Sequence, residues 1–122
     1  MTVASSFEST SPDAALVAAR DAAVVCELTP LRVLAIAGAD AASFLHGQLS
    51  SDVRGLSAGV CRYTCFNSPK GRMLANFPLW RVPGAPDSFR ALLPGDIAEP
   101  VAKRLSMYVL RAKCKLSDAS AA

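Results

Sequence analysis

The sequence predicts a mixed α+β domain in which helices pack on one sheet. Hydrophobic residues make up 52% of its 122 residues, which is enough for a single core. Several apolar runs have the length and alternation of strands and are separated by turns rich in Gly and Pro. Two other stretches have apolar residues at helical spacing. Strands and helices in this arrangement are typical of a layered α+β domain.

A short helix is expected before the domain. Ser11 can cap it, Pro12 suits its first position, and Asp13 adds an acidic charge to its first turn, so we expect the helix to reach about Asp21. The chain is predicted to divide into an extension with this helix at 1–23, a domain at 24–118 and a tail at 119–122.

Two strands and a helix are predicted to open the domain. The runs Val24 to Leu28 and Leu31 to Ala37 are rich in β-branched residues and leucine, and Thr29-Pro30 between them predicts a tight turn. Asp40 can cap the helix that follows. Its apolar stripe consists of Ala41, Phe44, Leu45 and Leu49.

Three strands and a second long helix are predicted next. The strands are expected at Val60 to Phe66, Met73 to Trp80 and Phe89 to Leu93. Pro78 predicts that the second of these is an edge strand or carries a bulge. Asp96 and Glu99 form a capping-box pattern that opens the helix, and Pro100 lies just past its first turn. The apolar stripe of this helix consists of Ile97, Val101, Leu105 and Tyr108. A last strand is possible from Arg111 to Leu116. The predicted order is ββαβββα.

A basic turn lies between two of the predicted strands. Pro69 presets a turn corner and Gly71 supplies positive φ, so Lys70 and Arg72 flank a kinked backbone. Such a turn can hold an anion. The alternative interpretation is an ordinary solvated hairpin tip.

The turn belongs to a set of stretches that resembles a known family. The stretches run from Ala39 to Val53, from Ser68 to Trp80, from Leu92 to Pro94 and from Ala102 to Lys113. In this order they resemble the YgfZ-type folate-binding proteins, relatives of the glycine-cleavage T-protein (aminomethyltransferase). The likeness covers most of this chain and less than half of the family's usual length. It implies the first of two pseudo-symmetric ββαβββα units of a folate-binding domain, with tetrahydrofolate as the ligand.

At a few positions this chain differs from the T-proteins that it resembles. Where T-proteins have paired aspartates, one of which organises one-carbon transfer, this chain has Ala75 and Asn76. Pro94 stands near the position of a T-protein Asn. An amide is a poor substitute for a carboxylate base, so aminomethyl transfer is not expected. Asn76 can still form hydrogen bonds with a pterin edge.

Seven residues are predicted to contact folate, and no residue is assigned a catalytic role. Arg and Lys side chains suit the carboxylates of the glutamyl tail, while an aromatic ring and amides suit the pterin. Each basic residue could equally be a solvated surface charge. The seven are Phe66, Asn67, Lys70, Arg72, Asn76, Arg104 and Arg111.

The remaining reactive side chains indicate no other chemistry. Cys61 and Cys65 lie four strand residues apart, roughly 13 Å, which is too far to bridge or to share one metal ion. These two cysteines, and Cys26 and Cys114, are predicted to be small core residues. His46, the single histidine, has no nucleophile partner by motif and is expected to be structural or exposed. The core is also the expected place for Tyr63, Phe66 and Trp80.

Charge and hydropathy limit the partners. A net charge of +3 does not require a nucleic acid, although the stretch from Lys103 to Lys115 has five bases and no acid. No stretch approaches eighteen apolar residues, and residues 1–10 lack the features of an export signal. We expect a cytoplasmic protein without a membrane or direct nucleic-acid partner. Uncovered apolar surface in half of a domain makes a homodimer possible.

The resemblance implies a folate-binding accessory protein for maintenance of iron–sulfur enzymes and for the tRNA modification that depends on them. Iron–sulfur proteins are then possible partners. Two alternatives stay open at this stage, a folate-dependent aminomethyltransferase and an inactive fragment that retains the fold unit.

Overall fold

The computed structural model describes residues 11–120, and eight helices and strands follow one another there. The interpretation of residues 1–10 lies outside the described part. The elements are α1 (Pro12–Asp21), β1 (Leu31–Ala37), α2 (Ala41–Gln48), β2 (Cys61–Asn67), β3 (Met73–Arg81), β4 (Ser88–Pro94), α3 (Gly95–Met107) and β5 (Lys115–Asp118). The mixed α+β class predicted from the sequence is confirmed.

The five strands form one antiparallel sheet in the order β2-β3-β4-β1-β5. Side chains alternate between its two faces. The core face is buried beneath α2, α3 and the loop at 53–56, while the outer face carries the alternate residues and is open. The core face consists of Leu34, Ile36, Thr64, Phe66, Ala75, Phe77, Leu79, Phe89, Ala91 and Leu93.

The strand predicted at Val24 to Leu28 is not formed. These residues are exposed and pair with no strand, although their β-branched composition favours one. The antiparallel partner of β1 on that side is β5, which begins at Lys115 rather than at Arg111. β-propensity alone cannot form a strand that has no neighbour, so tertiary context decided this segment.

The last described residues fasten β5 to β1. Ala119 donates its N–H to the Val33 carbonyl at 2.8 Å, and the Val33 N–H donates to Ser120 Oγ at 2.8 Å. Hydrogen bonds from Ser120 to the Asp118 carboxylate lower the pKa of that group. The ladder between the two strands therefore continues past Asp118.

The helix starts are partly as predicted. Ser11 Oγ accepts the Ala14 N–H at 3.3 Å, and α1 occupies the predicted range. Asp40 precedes α2 but does not cap it; its carboxylate accepts the Lys113 N–H at 2.8 Å. The predicted capping box at Asp96 is wrong, because α3 begins one residue earlier at Gly95 and has no side-chain cap.

Pro78 lies where the β3–β4 ladder stops, because that pairing runs only from Leu79 to Arg81. The missing N–H therefore interrupts no ladder towards β4. The irregularity in the hairpin lies elsewhere, where Asn67 pairs with Met73 and Leu74 is the extra residue.

Several residues expected in the core are not there. Cys26 and Cys61 are exposed, Cys65 and Cys114 are half-buried, and all four are free. Desolvation raises the pKa of the Cys114 thiol and the nearby Asp40 carboxylate raises it further. Of the three aromatics, only Phe66 is in the core; Tyr63 is 72% exposed and Trp80 is half-buried.

Candidate functional site

The turn that joins β2 to β3 has the geometry predicted from the sequence. Gly71 has φ +80° and donates its N–H to the Ser68 carbonyl at 2.9 Å. The Ser68 N–H donates to the Arg72 carbonyl at 2.8 Å, and the Ser68 hydroxyl accepts the Arg72 N–H at 3.2 Å. Lys70 is exposed beside them. This closed turn presents two positive charges at the end of the hairpin.

The outer face of the hairpin carries a mixed polar and aromatic surface. Asn76 is exposed on β3 and is paired with Cys65 of β2. Along the same face Tyr63 is paired with Pro78, and Cys61 with Trp80. Asn67 is exposed at the turn end of β2. We call this surface the outer hairpin face: Cys61, Tyr63, Cys65, Asn67, Asn76, Pro78 and Trp80.

Phe66 and Arg104 lie on the other side of the sheet. Phe66 is only 2% exposed and belongs to the core cluster. It lines a small cavity of about 200 Å³ between the hairpin and α3, and Arg104 also lines it. The other lining residues are Leu74, Ile97, Pro100 and Val101. The sheet therefore divides the predicted site residues between two separate surfaces.

The structure unites some of the seven predicted residues and separates others. Asn67 and Asn76 share the outer hairpin face, and Lys70 and Arg72 are on the turn at its end. Arg111 is exposed in the loop between α3 and β5. Within residues 11–120, the four basic members of the set, Lys70, Arg72, Arg104 and Arg111, form no ion pair.

Sequence reasoning missed Tyr63 and Trp80 as site candidates. Both were expected in the core, yet both share a face with Asn76. The signal that could have found them is the two-residue alternation of β2 and β3, which places every second residue beside Asn76.

His46 has a structural role. Its Nδ1 accepts the Val53 N–H at 3.3 Å, which fixes the chain where it leaves α2. Asp52 Oδ1 is 3.4 Å from the same nitrogen. Because that nitrogen already accepts a hydrogen bond, it carries no proton for Asp52, and we regard the two side chains as neighbours rather than as an ion pair. Within the described residues, no group of His, Cys, Asp and Glu side chains is placed to hold a metal ion.

A scan against protein families finds no match to this chain. The sequence is 35% identical over 86 residues to an uncharacterized protein of Haemophilus influenzae, which covers 70% of this chain and 30% of that protein. The structure resembles the crystal structure of the glycine cleavage system aminomethyltransferase T from Bartonella henselae, with a TM-score of 0.71, 20% identity and coverage of 76% of this chain.

The structural likeness establishes the fold. The chain has the fold of part of an aminomethyltransferase T and spans 25% of that protein's length. In the described part, none of the helices has the length and apolar content to cross a membrane.

Proposed function

We propose that this chain forms one wall of a site for tetrahydrofolate and binds the ligand without transferring a one-carbon unit. The position of Asn76 carries the proposal. It is an exposed amide on the outer hairpin face, at the place where the T-protein resemblance implies a carboxylate. An amide both donates and accepts hydrogen bonds, which suits a pterin edge, but it does not act as a general base at neutral pH.

The surroundings of Asn76 suit the other parts of a folate. Tyr63 and Trp80 offer aromatic surface on the same face for a flat ring. Lys70 and Arg72 at the turn provide positive charges for the glutamyl carboxylates. The cavity beside Phe66 is about 200 Å³, smaller than the roughly 300–1,000 Å³ of typical ligand pockets, so we do not assign the ligand there.

One wall is not a complete site. Small-molecule sites typically bury about 70–90% of a ligand's surface, whereas an open sheet face contacts only one side of it. We therefore expect weak binding by this chain alone, because the contacts made do not offset the translational freedom that the ligand loses.

The wider cellular role is proposed on the family resemblance. It comprises support of iron–sulfur enzymes and of tRNA modification, with iron–sulfur proteins as partners. A second candidate, aminomethyl transfer, is favoured by the structural likeness to aminomethyltransferase T. Asn76 weighs against it.

Trp80 allows a direct test, because it is the only tryptophan in the chain and lies on the outer hairpin face. Titration with tetrahydrofolate should quench its fluorescence and shift the backbone NMR signals of β2 and β3, with saturation only above micromolar ligand. Free tryptophan in the same titration corrects for ligand absorbance. No saturable change at millimolar ligand, or shifts confined to another surface, would refute the proposal.

Two variants locate the site. Asn76→Ala should weaken binding severalfold by removing the pterin-edge hydrogen bonds. Ser43→Ala, an exposed position on α2, is the matched control and should bind as the parent does. Equal affinity of all three chains would exclude Asn76 as a contact. Micromolar binding by the parent would show that this chain contains a complete site and would contradict the one-wall proposal.

A further inference from the structure

Exposed apolar side chains are concentrated in two segments outside the outer hairpin face. Residues 11–120 contain eleven large apolar side chains that are exposed, and eight of them lie in these two segments. The first segment is the arm, residues 11–30, with Leu16, Val17, Val24, Val25 and Leu28. The second is the knob, residues 103–115, with Met107, Tyr108 and Leu110.

The arm is a folded but uncovered surface. No residue of α1 is buried, and the core cluster begins only at Leu34. The helix and the extended residues after it enclose an open groove of about 930 Å³, lined mainly by alanines and valines. Val25, one of the lining residues, is 80% exposed. An apolar groove of this size can bury the apolar side chains of a partner.

The knob presents Leu110 to solvent at a conformational cost. Leu110 is 87% exposed and has φ +49°, in the left-handed region that non-glycine residues rarely adopt. The flanking backbone holds it there, since the Ala112 N–H donates to the Val109 carbonyl at 2.8 Å. The backbone therefore holds the Leu110 side chain in its exposed position before any partner binds.

The end of the knob is fixed to the domain. The Asp40 N–H donates to the Lys113 carbonyl at 3.0 Å, and the Asp40 carboxylate accepts the Lys113 N–H at 2.8 Å. Gly38 allows this approach, because a Cβ at that position would clash with the Lys113 carbonyl oxygen. These contacts attach the C-terminal end of the knob to the start of α2.

The two segments have opposite charge. The arm contains three acidic residues and one basic residue, a net charge of −2. The knob has five bases and no acid. Glu27 lines the groove of the arm, and Arg111 and Lys113 flank the apolar tip of the knob. Opposite charges around matching apolar surfaces favour association.

We infer that the arm of one chain receives the knob of a second copy. Both surfaces are exposed in a single chain, so the arm does not cover its own knob. A two-fold arrangement lets each arm groove take Leu110 of the other chain, and such a dimer closes on itself. The charges favour the knob as the occupant of the groove, because an acidic arm repels another acidic arm and attracts a basic knob.

Size-exclusion chromatography with light scattering tests the assembly. The chain should have twice the 12.8 kDa monomer mass, and added salt should raise the dimer dissociation constant. Leu110→Gly should raise that constant about tenfold or more by removing the anchor. Glycine tolerates positive φ, so the variant should unfold no more easily than the parent at matched monomer concentration. Val60→Ala, at an exposed apolar position outside both segments, is the control and should remain dimeric.

Mixing two damaged chains tests the reciprocal contact. Val25→Asp should damage the groove and Leu110→Gly the knob, so each variant alone should be mainly monomeric. An equimolar mixture retains one intact groove and one intact knob and should associate more tightly than either variant. The inference is overturned by a monomeric parent, by a dimer that tolerates both variants, or by a mixture that associates no better than its components.

Discussion

The two faces of the β2–β3 hairpin share one backbone and differ in burial. Its core face buries Phe66 and Phe77, each 2% exposed, while its outer face presents Asn76 and leaves Tyr63 72% exposed. Buried apolar packing is therefore concentrated on one side of the two strands, and exposed polar and aromatic side chains on the other. The difference shows that strand alternation separates a packed surface from an exposed one within a single supersecondary unit.

Phe66 and Asn67 show this separation most directly. They are neighbours in sequence and were predicted to contact the same ligand, but the side chain of Phe66 is in the core and Asn67 is exposed. A ligand on the outer face reaches Asn67 and not Phe66. The prediction that the two form one pterin site does not fit this geometry, because successive strand residues point to opposite faces.

The largest expected effect contrasts the two faces. Phe66→Ala should lower the free energy of unfolding by about 3–5 kcal/mol, because it leaves a cavity in the core. Tyr63→Ala, at the exposed position on the same strand, should change it by less than about 1 kcal/mol. Urea unfolding followed by circular dichroism measures both. If Phe66→Ala does not fold, Phe66→Leu keeps the comparison testable, and equal losses for Tyr63 and Phe66 variants would contradict it.

Arg81 secures the loop that covers the core face. Its guanidinium donates to the carbonyls of Leu56 at 2.8 Å and Pro86 at 2.7 Å, and lies 4.8 Å from the centre of the Phe89 ring. Lysine has a single ammonium and cannot reproduce this fork. Arg81→Lys should therefore cost about 1–3 kcal/mol in urea unfolding. Arg90→Lys on the outer face is the control, and a loss as large as that of Arg81→Lys would contradict the assignment.

The sequence predicted the parts of the fold that local pattern controls. The ranges of α1 and β1, the apolar stripe of α2 and the turn at Gly71 are confirmed. Which strands pair with each other was harder to predict, because Val24 to Leu28 has strand composition but no strand beside it. The choice of β5 as the neighbour of β1 depends on contacts more than seventy residues apart, which no local pattern contains.

The candidate site could be predicted only in part. Pro69 and Gly71 identified the turn, since their backbone preferences are local. The assignment of Phe66 required knowing which strand face is covered, and that depends on where α3 packs. Alternation would have grouped Tyr63 with Asn76, but both open and covered faces of this hairpin contain aromatic residues.

A third prediction concerns the polar exception on the core face. Thr64 is 2% exposed, and its hydroxyl has no hydrogen-bond partner within the described residues. Thr64→Val replaces the hydroxyl with a methyl group of similar size and removes the cost of burying it. The free energy of unfolding should rise by about 1 kcal/mol, which a urea titration can resolve. Thr64→Ala is the control and should be destabilising, and a loss of stability in Thr64→Val would indicate an unrecognised hydroxyl partner.

The smallest expected effect on stability is at Asn76, where the test is chemical. Asn76→Asp changes an exposed side chain and should alter the free energy of unfolding by less than about 0.5 kcal/mol. We expect neither the parent nor this variant to release ammonia from an aminomethyl intermediate of glycine cleavage in the presence of tetrahydrofolate. One carboxylate on an open sheet face lacks the enclosing groups that position a substrate for transfer. Folate-dependent release by the parent would contradict the binding-only proposal, and release by Asn76→Asp alone would show that the missing carboxylate was the sole obstacle.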